Sequence, residues 1–318
     1  MKTLITGGAG FIGSHLSEAL LKKNESIISL DNFDDYYDSS IKEENIRGFK
    51  NYPKFEFYRS DIRDFKTLRN IFEKEKPNKV VHLAAKVGVR PSIKNPFIYE
   101  EVNIRGTLNL LELARRYKIE NFVYASSSSV YGENKKIPFF ENDPVNFPIS
   151  PYAATKRAVE LLCYSYYHLY NLNVTCLRFF TVYGPRGRPD MAPYKFTKLI
   201  LEEKELPMFG NGDSQRDYTY IDDIIDGIIA CLDKKLGYEI INLGNSYPIS
   251  LKDFIRVIER ATGKKAKIKK LPVQSGDMAI TYADISKAKK LLGYNPKIKP
   301  EEGMRKFIKW YKEKYKYE

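Results

Sequence analysis

Cysteine and histidine are scarce: three of each stand among 318 residues. Cys163, Cys176 and Cys231 are odd in number and unpatterned, which excludes a disulfide framework and points to buried thiols in a reducing compartment. His15, His82 and His168 share no ligand spacing, so no metal site is expected. Long apolar runs are missing too. Stretches such as KVVHLAA at 79–85 fall far below the ~20 residues a membrane span needs. The chain enters LITG at 4–7 after one lysine, without an apolar leader, and a cytosolic protein with no membrane partner is expected.

The net charge of +13 raises nucleic acid as a partner. Much of the excess is lysine at 264–270 and 306–316, alternating with apolar positions as solvated faces do. No nucleic-acid partner is expected; a small anionic substrate accounts for the balance. With 43% apolar and 29% charged residues, the composition is that of an ordinary globular chain.

Short apolar runs at 2–6, 25–30, 54–59, 79–83, 121–126 and 174–179 predict strands. Between them, spacings of three and four predict helices at 11–23, 67–76, 103–117 and 152–170. This alternation predicts an α/β fold with a doubly wound parallel sheet. Past residue 180 glycine and proline are frequent, and helices at 194–205, 222–233, 251–262, 285–292 and 301–317 interleave less regularly with strands. A boundary is expected near 180, with 222–243 as a segment that returns to the first sheet.

GGAGFIG at 7–13 lies between a strand and a helix. Glycine there lets backbone amides approach a pyrophosphate, toward which the helix directs its positive end. Gly7, Gly10, Phe11, Ile12 and Gly13 are therefore cofactor candidates. Asp31 closes the second strand, where a carboxylate accepts both ribose hydroxyls and repels a 2′-phosphate, favouring NAD over NADP. Asn32, Asp61, Ile62, Leu83, Ala84, Ala85 and Lys86 follow strand ends of the same sheet, with Asp61 in reach of an adenine amino group or capping a helix.

YAATK at 152–156 opens a long helix, and a spacing of four sets Tyr152 and Lys156 on one face. A neighbouring cation is expected to lower the phenol toward working pH, as a general base requires. YASSSSVYG at 124–132 ends a strand in four hydroxyls, and parallel strands deliver such ends to the ligand crevice. Ser126 is expected at the cofactor, and Ser127 beside the substrate hydroxyl that Tyr152 deprotonates.

These motifs, with HLAA at 82–85, Asn103 in VNIRG and RDYTYID at 216–222, resemble the extended short-chain dehydrogenase/reductase superfamily over nearly the whole chain, and within it the nucleotide-sugar 4-epimerases. The resemblance implies a Rossmann domain at 1–180 holding NAD and a smaller mixed α/β domain at 181–318 holding a UDP-sugar. It implies Tyr152 as base, Lys156 on the nicotinamide ribose, Ser127 as hydroxyl partner, Asn103 at the cofactor, and a homodimer packed through the helices at 103–117 and 152–170. The reaction implied is oxidation at C4, rotation of the 4-keto sugar, and re-reduction from the other face. A non-catalytic relative would be expected to lack Tyr152 or Lys156.

Related dehydratases carry an Asp-Glu pair, and decarboxylases a glutamate, where this chain has Ser128 and Ser129. The stretch RFFTVYGPRGRPDMA at 178–192 is similar to UDP-glucuronate 4-epimerases. That likeness implies Ser128, Thr181 and Arg188 around a sugar carboxylate, leaving Arg178 to a structural pair and Arg186 to water. Arg90 and the segment with Gln274 and Asp277 point the same way. Arg216 and Tyr218 are expected at the diphosphate or uridine. Thr281, small where some galactose-type enzymes are large, and Lys86, where glutamine is frequent in glucuronate enzymes, keep UDP-N-acetylglucosamine and UDP-glucose as alternatives.

Overall fold

The computed structural model describes residues 1–272 and 280–317. Its first half comprises β1 (Lys2–Thr6), α1 (Phe11–Lys22), β2 (Ser26–Asp31), α2 (Ser39–Arg47), β3 (Phe55–Arg59), α3 (Phe65–Glu75), β4 (Lys79–His82), α4 (Val89–Lys94) and α5 (Pro96–Tyr99). A π-helical turn (Glu100–Arg105) leads into α6 (Gly106–Arg116), followed by β5 (Asn121–Ser127), a 3-10 turn (Ser128–Tyr131), α7 (Pro151–Tyr170) and β6 (Val174–Phe179). The second half holds β7 (Thr181–Tyr183), α8 (Ala192–Leu201), β8 (Glu205–Phe209), β9 (Gln215–Tyr220), α9 (Ile221–Leu232), β10 (Tyr238–Leu243), β11 (Pro248–Ser250), α10 (Leu251–Thr262), β12 (Lys267–Leu271), β13 (Ile280–Thr281), α11 (Ser286–Leu292) and α12 (Pro300–Tyr315).

Seven parallel strands form the main sheet in the order β10-β6-β5-β4-β1-β2-β3. Neighbouring residues along a strand divide between its two faces, as a period of two demands. Ile5, Ile27, Val81 and Val123 enter one apolar cluster. Leu4, Ile28, Val80 and Phe122 enter the other. Burial on both faces makes the sheet doubly wound, and the order reverses between β1 and β4. β10, from the segment expected to return, is an edge strand beside β6. The second half also builds a small mixed sheet, β11-β9-β13 with β7 on β9, and a parallel pair of β12 with β8.

Several elements differ from sequence expectation. The helix expected over 194–205 ends at Leu201, and its last expected residue already belongs to β8. Glu203 adopts φ 55°, which a helix cannot continue through. Part of the lysine run at 264–270 is a strand, β12, pairing with β8 and joined to it by Lys269 and Glu205 at 2.9 Å. α2 was not expected at all: Ile41 and Ile46 are its only apolar residues and set up no helical period. No helix of the described residues is long and apolar enough to cross a membrane. Among the same residues no group of three or more His, Cys, Asp or Glu is arranged to hold a metal ion.

One buried ion pair joins α7 to the sheet. Arg178 of β6 donates from Nε and Nη2 to the two carboxylate oxygens of Glu160, both at 2.9 Å, and the two side chains are 1% and 0% exposed. Ser126 and Arg157 complete the carboxylate at 2.6 and 3.0 Å. Burial by itself would raise the Glu160 carboxyl, but the bonds and charge of Arg178 outweigh it and hold the group below its ordinary value. A depressed carboxyl stabilises the fold fully above its unfolded value and loses that contribution as pH falls through the folded one. Arg178→Met, which takes the buried guanidinium from Glu160 and leaves it only Arg157 and Ser126, is expected to cost about 3–5 kcal/mol by urea unfolding. In Glu160→Gln the acid-side fall in stability, followed by circular dichroism below about pH 5, should flatten.

Candidate active site

The carboxyl ends of β1, β2, β4 and β5 open into a cleft of about 480 Å³ at the point where strand order reverses. Twenty of the residues singled out in sequence line it: Gly7, Gly10, Phe11, Ile12, Gly13, Asp31, Asn32, Asp61, Ile62, Leu83, Ala84, Ala85, Lys86, Ser126, Ser127, Ser128, Tyr152, Lys156, Thr181 and Arg188. Residues as far apart in sequence as Gly7 and Arg188 line one cleft because strand ends converge there.

Its floor is the turn between β1 and α1. Gly7 has φ 68°, and a Cβ there would sit 2.8 Å from the Ala84 amide. A Cβ on Gly13 would sit 2.2 Å from the Gly7 carbonyl. The turn therefore closes only on glycine. Gly10 caps α1 without a side chain, leaving the first amides of that helix to face the cleft. Asp31 accepts from the amides of Ala9 at 3.2 Å and Phe33 at 2.9 Å, and from Lys42 at 3.3 Å. Asp61 accepts from Asn32 at 2.9 Å and from Arg63; the cap of α3 is Asp64 instead.

At the other wall, Ser150 caps α7, and the helix presents Tyr152 and Lys156 to the cleft. Sequence reasoning expected Lys156 to lower the Tyr152 phenol, and the direction is the opposite. Burial raises the phenol above its ordinary value, while a hydrogen bond with Ser127 and the charge of Arg188 offset part of that rise. Lys156 lies 5.9 Å from the Tyr152 ring centroid and donates to the Ala125 carbonyl at 2.7 Å. Burial drives it down to about 7, against the opposing pull of Glu160. Tyr99 meets the Tyr152 ring edge-on at 6.3 Å.

Several further candidates are held by other partners or stand elsewhere than expected. Asn103 is not a cleft residue: its amide clamps the Lys86 backbone through N–H and C=O at 2.8 and 3.0 Å and donates to Thr155 at 3.0 Å. Ser126 borders the cleft, but its hydroxyl is turned to Glu160. Tyr218 is buried and stacks on Phe254 with centroids 3.9 Å apart, because its strand position faces the core of the small sheet. Arg90 lies outside the cleft lining, its guanidinium 5.7 Å from the Phe209 ring. Arg186 pairs with Glu18 at 2.6 Å instead of facing water. Arg216 and Thr281 stand opposite one another on β9 and β13, outside the cleft lining. Gln274 and Asp277 lie outside the described residues.

Tyr36, Tyr37, Lys42 and Asp34 also line the cleft and were missed. The run DDYYD at 34–38, directly after Asp31, was their only signal. His82, which has no ligand spacing and stands in the HLAA motif, joins β1 to α6. Thr107 donates to the Asn103 carbonyl at 2.5 Å, so it accepts from His82 Nε2 at 2.8 Å. Nδ1 is then the acceptor, receiving the Thr6 hydroxyl at 2.7 Å, and Thr6 in turn receives the Ala84 amide at 3.2 Å. Burial lowers His82 to about 3, so the ring is neutral.

A doubly wound sheet, a glycine turn and a Ser-Tyr-Lys set in one crevice define an enzyme of the short-chain dehydrogenase/reductase type. A family model described as GDP-mannose 4,6 dehydratase matches residues 4–307, and the chain belongs to that family. It is 49% identical over 311 residues to a UDP-glucuronate 4-epimerase of Thermodesulfobacterium geofontis, covering 98% of this chain and 96% of that one. The structure of UDP-glucuronic acid 4-epimerase from Bacillus cereus in complex with UDP-glucuronic acid and NAD superposes with a TM-score of 0.93 at 39% identity, over 99% of this chain and 100% of that one. A UDP-glucose 4-epimerase of Thermotoga maritima with UDP-glucose gives 0.91 at 31%, over 99% and 100%.

The relay through His82 yields a prediction. His82→Phe keeps a ring but takes one of the two hydrogen bonds from each of the buried Thr6 and Thr107 hydroxyls, at about 1–3 kcal/mol for each bond left unmade. Urea unfolding is expected to show a loss of about 2–6 kcal/mol.

Proposed function

We propose that this protein is an NAD-dependent UDP-glucuronate 4-epimerase that inverts C4 through a transient 4-keto sugar. The observation that carries this is the meeting of Tyr152, Ser127 and Arg188 in the cleft whose floor is the glycine turn. The relatives that act on UDP-glucuronate support the choice of sugar.

The residues fit the dinucleotide. The close approach at Gly7 and Gly13, the uncapped start of α1 and the carboxylate of Asp31 suit a pyrophosphate and a ribose with free hydroxyls. Lys156 would hold the nicotinamide ribose. When bound, NAD supplies the hydride acceptor that later returns the hydride.

Tyr152 takes the proton of the sugar 4-OH as phenolate. Burial opposes that ionisation, so Ser127 and the Arg188 charge matter in proportion. The same oxygen gives the proton back after the sugar has turned, so the protein ends unchanged. Ser128, Thr181 and Arg188 hold the sugar carboxylate, which guanidinium recognises in a charge-assisted pair. A 4-keto glucuronate is a β-keto acid and loses carbon dioxide when its carboxylate aligns with the carbonyl π system; Arg188 keeps it out of alignment. Arg216, on a strand paired in register with β7, would reach the diphosphate.

The chain would divide into a cofactor unit at 1–180, with 222–243 returning to it, and a substrate unit at 181–318; the edge position of β10 supports this. A homodimer through α6 and α7 is proposed as well. Leu161, Tyr164 and Leu169, 53%, 50% and 65% exposed on α7, support it.

Purified protein incubated separately with UDP-glucuronate, UDP-glucose and UDP-N-acetylglucosamine, with products identified by NMR, is expected to form the C4 epimer of the first. Absence of any C4 epimer from all three would refute an epimerase. Tyr152→Phe should lower kcat by about 10²–10⁴-fold. Arg188→Gln should raise the KM for UDP-glucuronate and release a UDP-pentose with carbon dioxide; unchanged KM and no pentose would remove Arg188 from the carboxylate.

A further inference from the structure

Arg188 already carries a carboxylate. Its Nε and Nη2 donate to Asp190 Oδ1 and Oδ2 at 3.0 and 2.6 Å, a two-point pair. The Tyr36 hydroxyl donates to Asp190 Oδ2 at 3.2 Å, and the Tyr36 ring centroid lies 5.6 Å from the guanidinium carbon. Tyr36 and Arg188 both line the cleft, whereas Asp190 does not. Burial would raise the Asp190 carboxyl, but the bonds and charge of Arg188 hold it below its ordinary value, so it is an anion at neutral pH.

We infer that Asp190 occupies Arg188 in place of the sugar carboxylate and is exchanged for it when an acidic nucleotide sugar binds, so that Asp190 sets selectivity through Arg188. This rests on the assignment of Arg188 to the sugar carboxylate. A second carboxylate brought to one guanidinium in a partly buried cleft repels the first, so the two compete. A substrate acid replaces Asp190 at equal charge and keeps the guanidinium paired. A neutral hexose has only a hydroxymethyl group to offer and leaves the internal pair closed. The pair also spans the cleft, since Tyr36 follows β2 and Asp190 follows β7. The exchange releases Asp190 to water, for which its side chain, 35% exposed, is placed. Asp190 is thus a positioning residue: it touches Arg188, not the reacting atoms.

Steady-state kinetics of Asp190→Asn and Tyr36→Phe holoenzymes on UDP-glucuronate and UDP-glucose test this. In Asp190→Asn the KM for UDP-glucuronate is expected to fall about threefold to tenfold, with kcat within about twofold of wild type, as loss of one half-exposed charge pair allows. The KM for UDP-glucose should move less than about twofold. Tyr36→Phe should shift the acidic substrate in the same direction by a smaller factor. A KM for UDP-glucuronate that is unchanged or raised in Asp190→Asn, or a loss of kcat alone, overturns the exchange and leaves Asp190 as a support for Arg188. If wild-type protein forms no epimer, the proposed reaction fails on its own; calorimetric affinity of UDP-glucuronate for the two NAD-loaded proteins then decides the exchange by the same ratio.

Discussion

The Glu160–Arg178 pair fixes the helix that carries Tyr152 and Lys156. Glu160 lies one helical turn beyond Lys156 and two beyond Tyr152, on the face of α7 that meets the sheet. Arg178 is fixed by the ladder of β6 between β5 and β10. Joining them without water costs desolvation of two charges, which is recovered only when every lone pair is used. Ser126 and Arg157 supply the remaining donors. The result sets the rotation of α7 about its axis, and with it the direction of the phenol and the ammonium into the cleft.

The opposite wall is positioned by smaller means. The neutral His82 ring carries one directional chain from the Ala84 amide to the Asn103 carbonyl, and the Asn103 side chain then clamps Lys86 and reaches Thr155 on α7. Because the ring cannot donate at both nitrogens, the chain has one polarity, and the loop at 83–86 is held against both β1 and α7. The π-helical turn at Glu100–Arg105 brings Asn103 into this network. Both walls thus lean on α7, so a disturbance deep in the sheet reaches the cleft.

Electrostatics inside the cleft work against easy ionisation. Burial raises Tyr152 and lowers Lys156 together, because low dielectric penalises whichever form is charged. A phenolate in such a place needs nearby cations, and the charge of Arg188 offsets part of the rise. That same guanidinium is shared with Asp190 and Tyr36. The Asp190 pair and the charge acting on Tyr152 therefore meet at one side chain.

Period-two strands, helices between them, and the glycine spacing at 7–13 were legible from the amino-acid order because they arise from local geometry: Leu4 and Ile5 must face opposite ways whatever lies around them. The Tyr152–Lys156 spacing was legible for the same reason. Three things were decided only by folding in three dimensions. Polar α2 is held by its neighbours and not by its own periodicity, so Lys42 beside Asp31 could not be foreseen. Asn103 and Tyr218 carry the right chemistry for a ligand, but their side chains are committed inside the protein, and only packing assigns a hydrogen-bond donor or a ring to its partner. The sign of the Tyr152 shift depends on how much water the fold removes around the phenol, a property of the folded cleft and of no single residue within it. Local spacing determined which groups exist on one face; burial and long-range pairing decided which of them face the cleft and in what charge state.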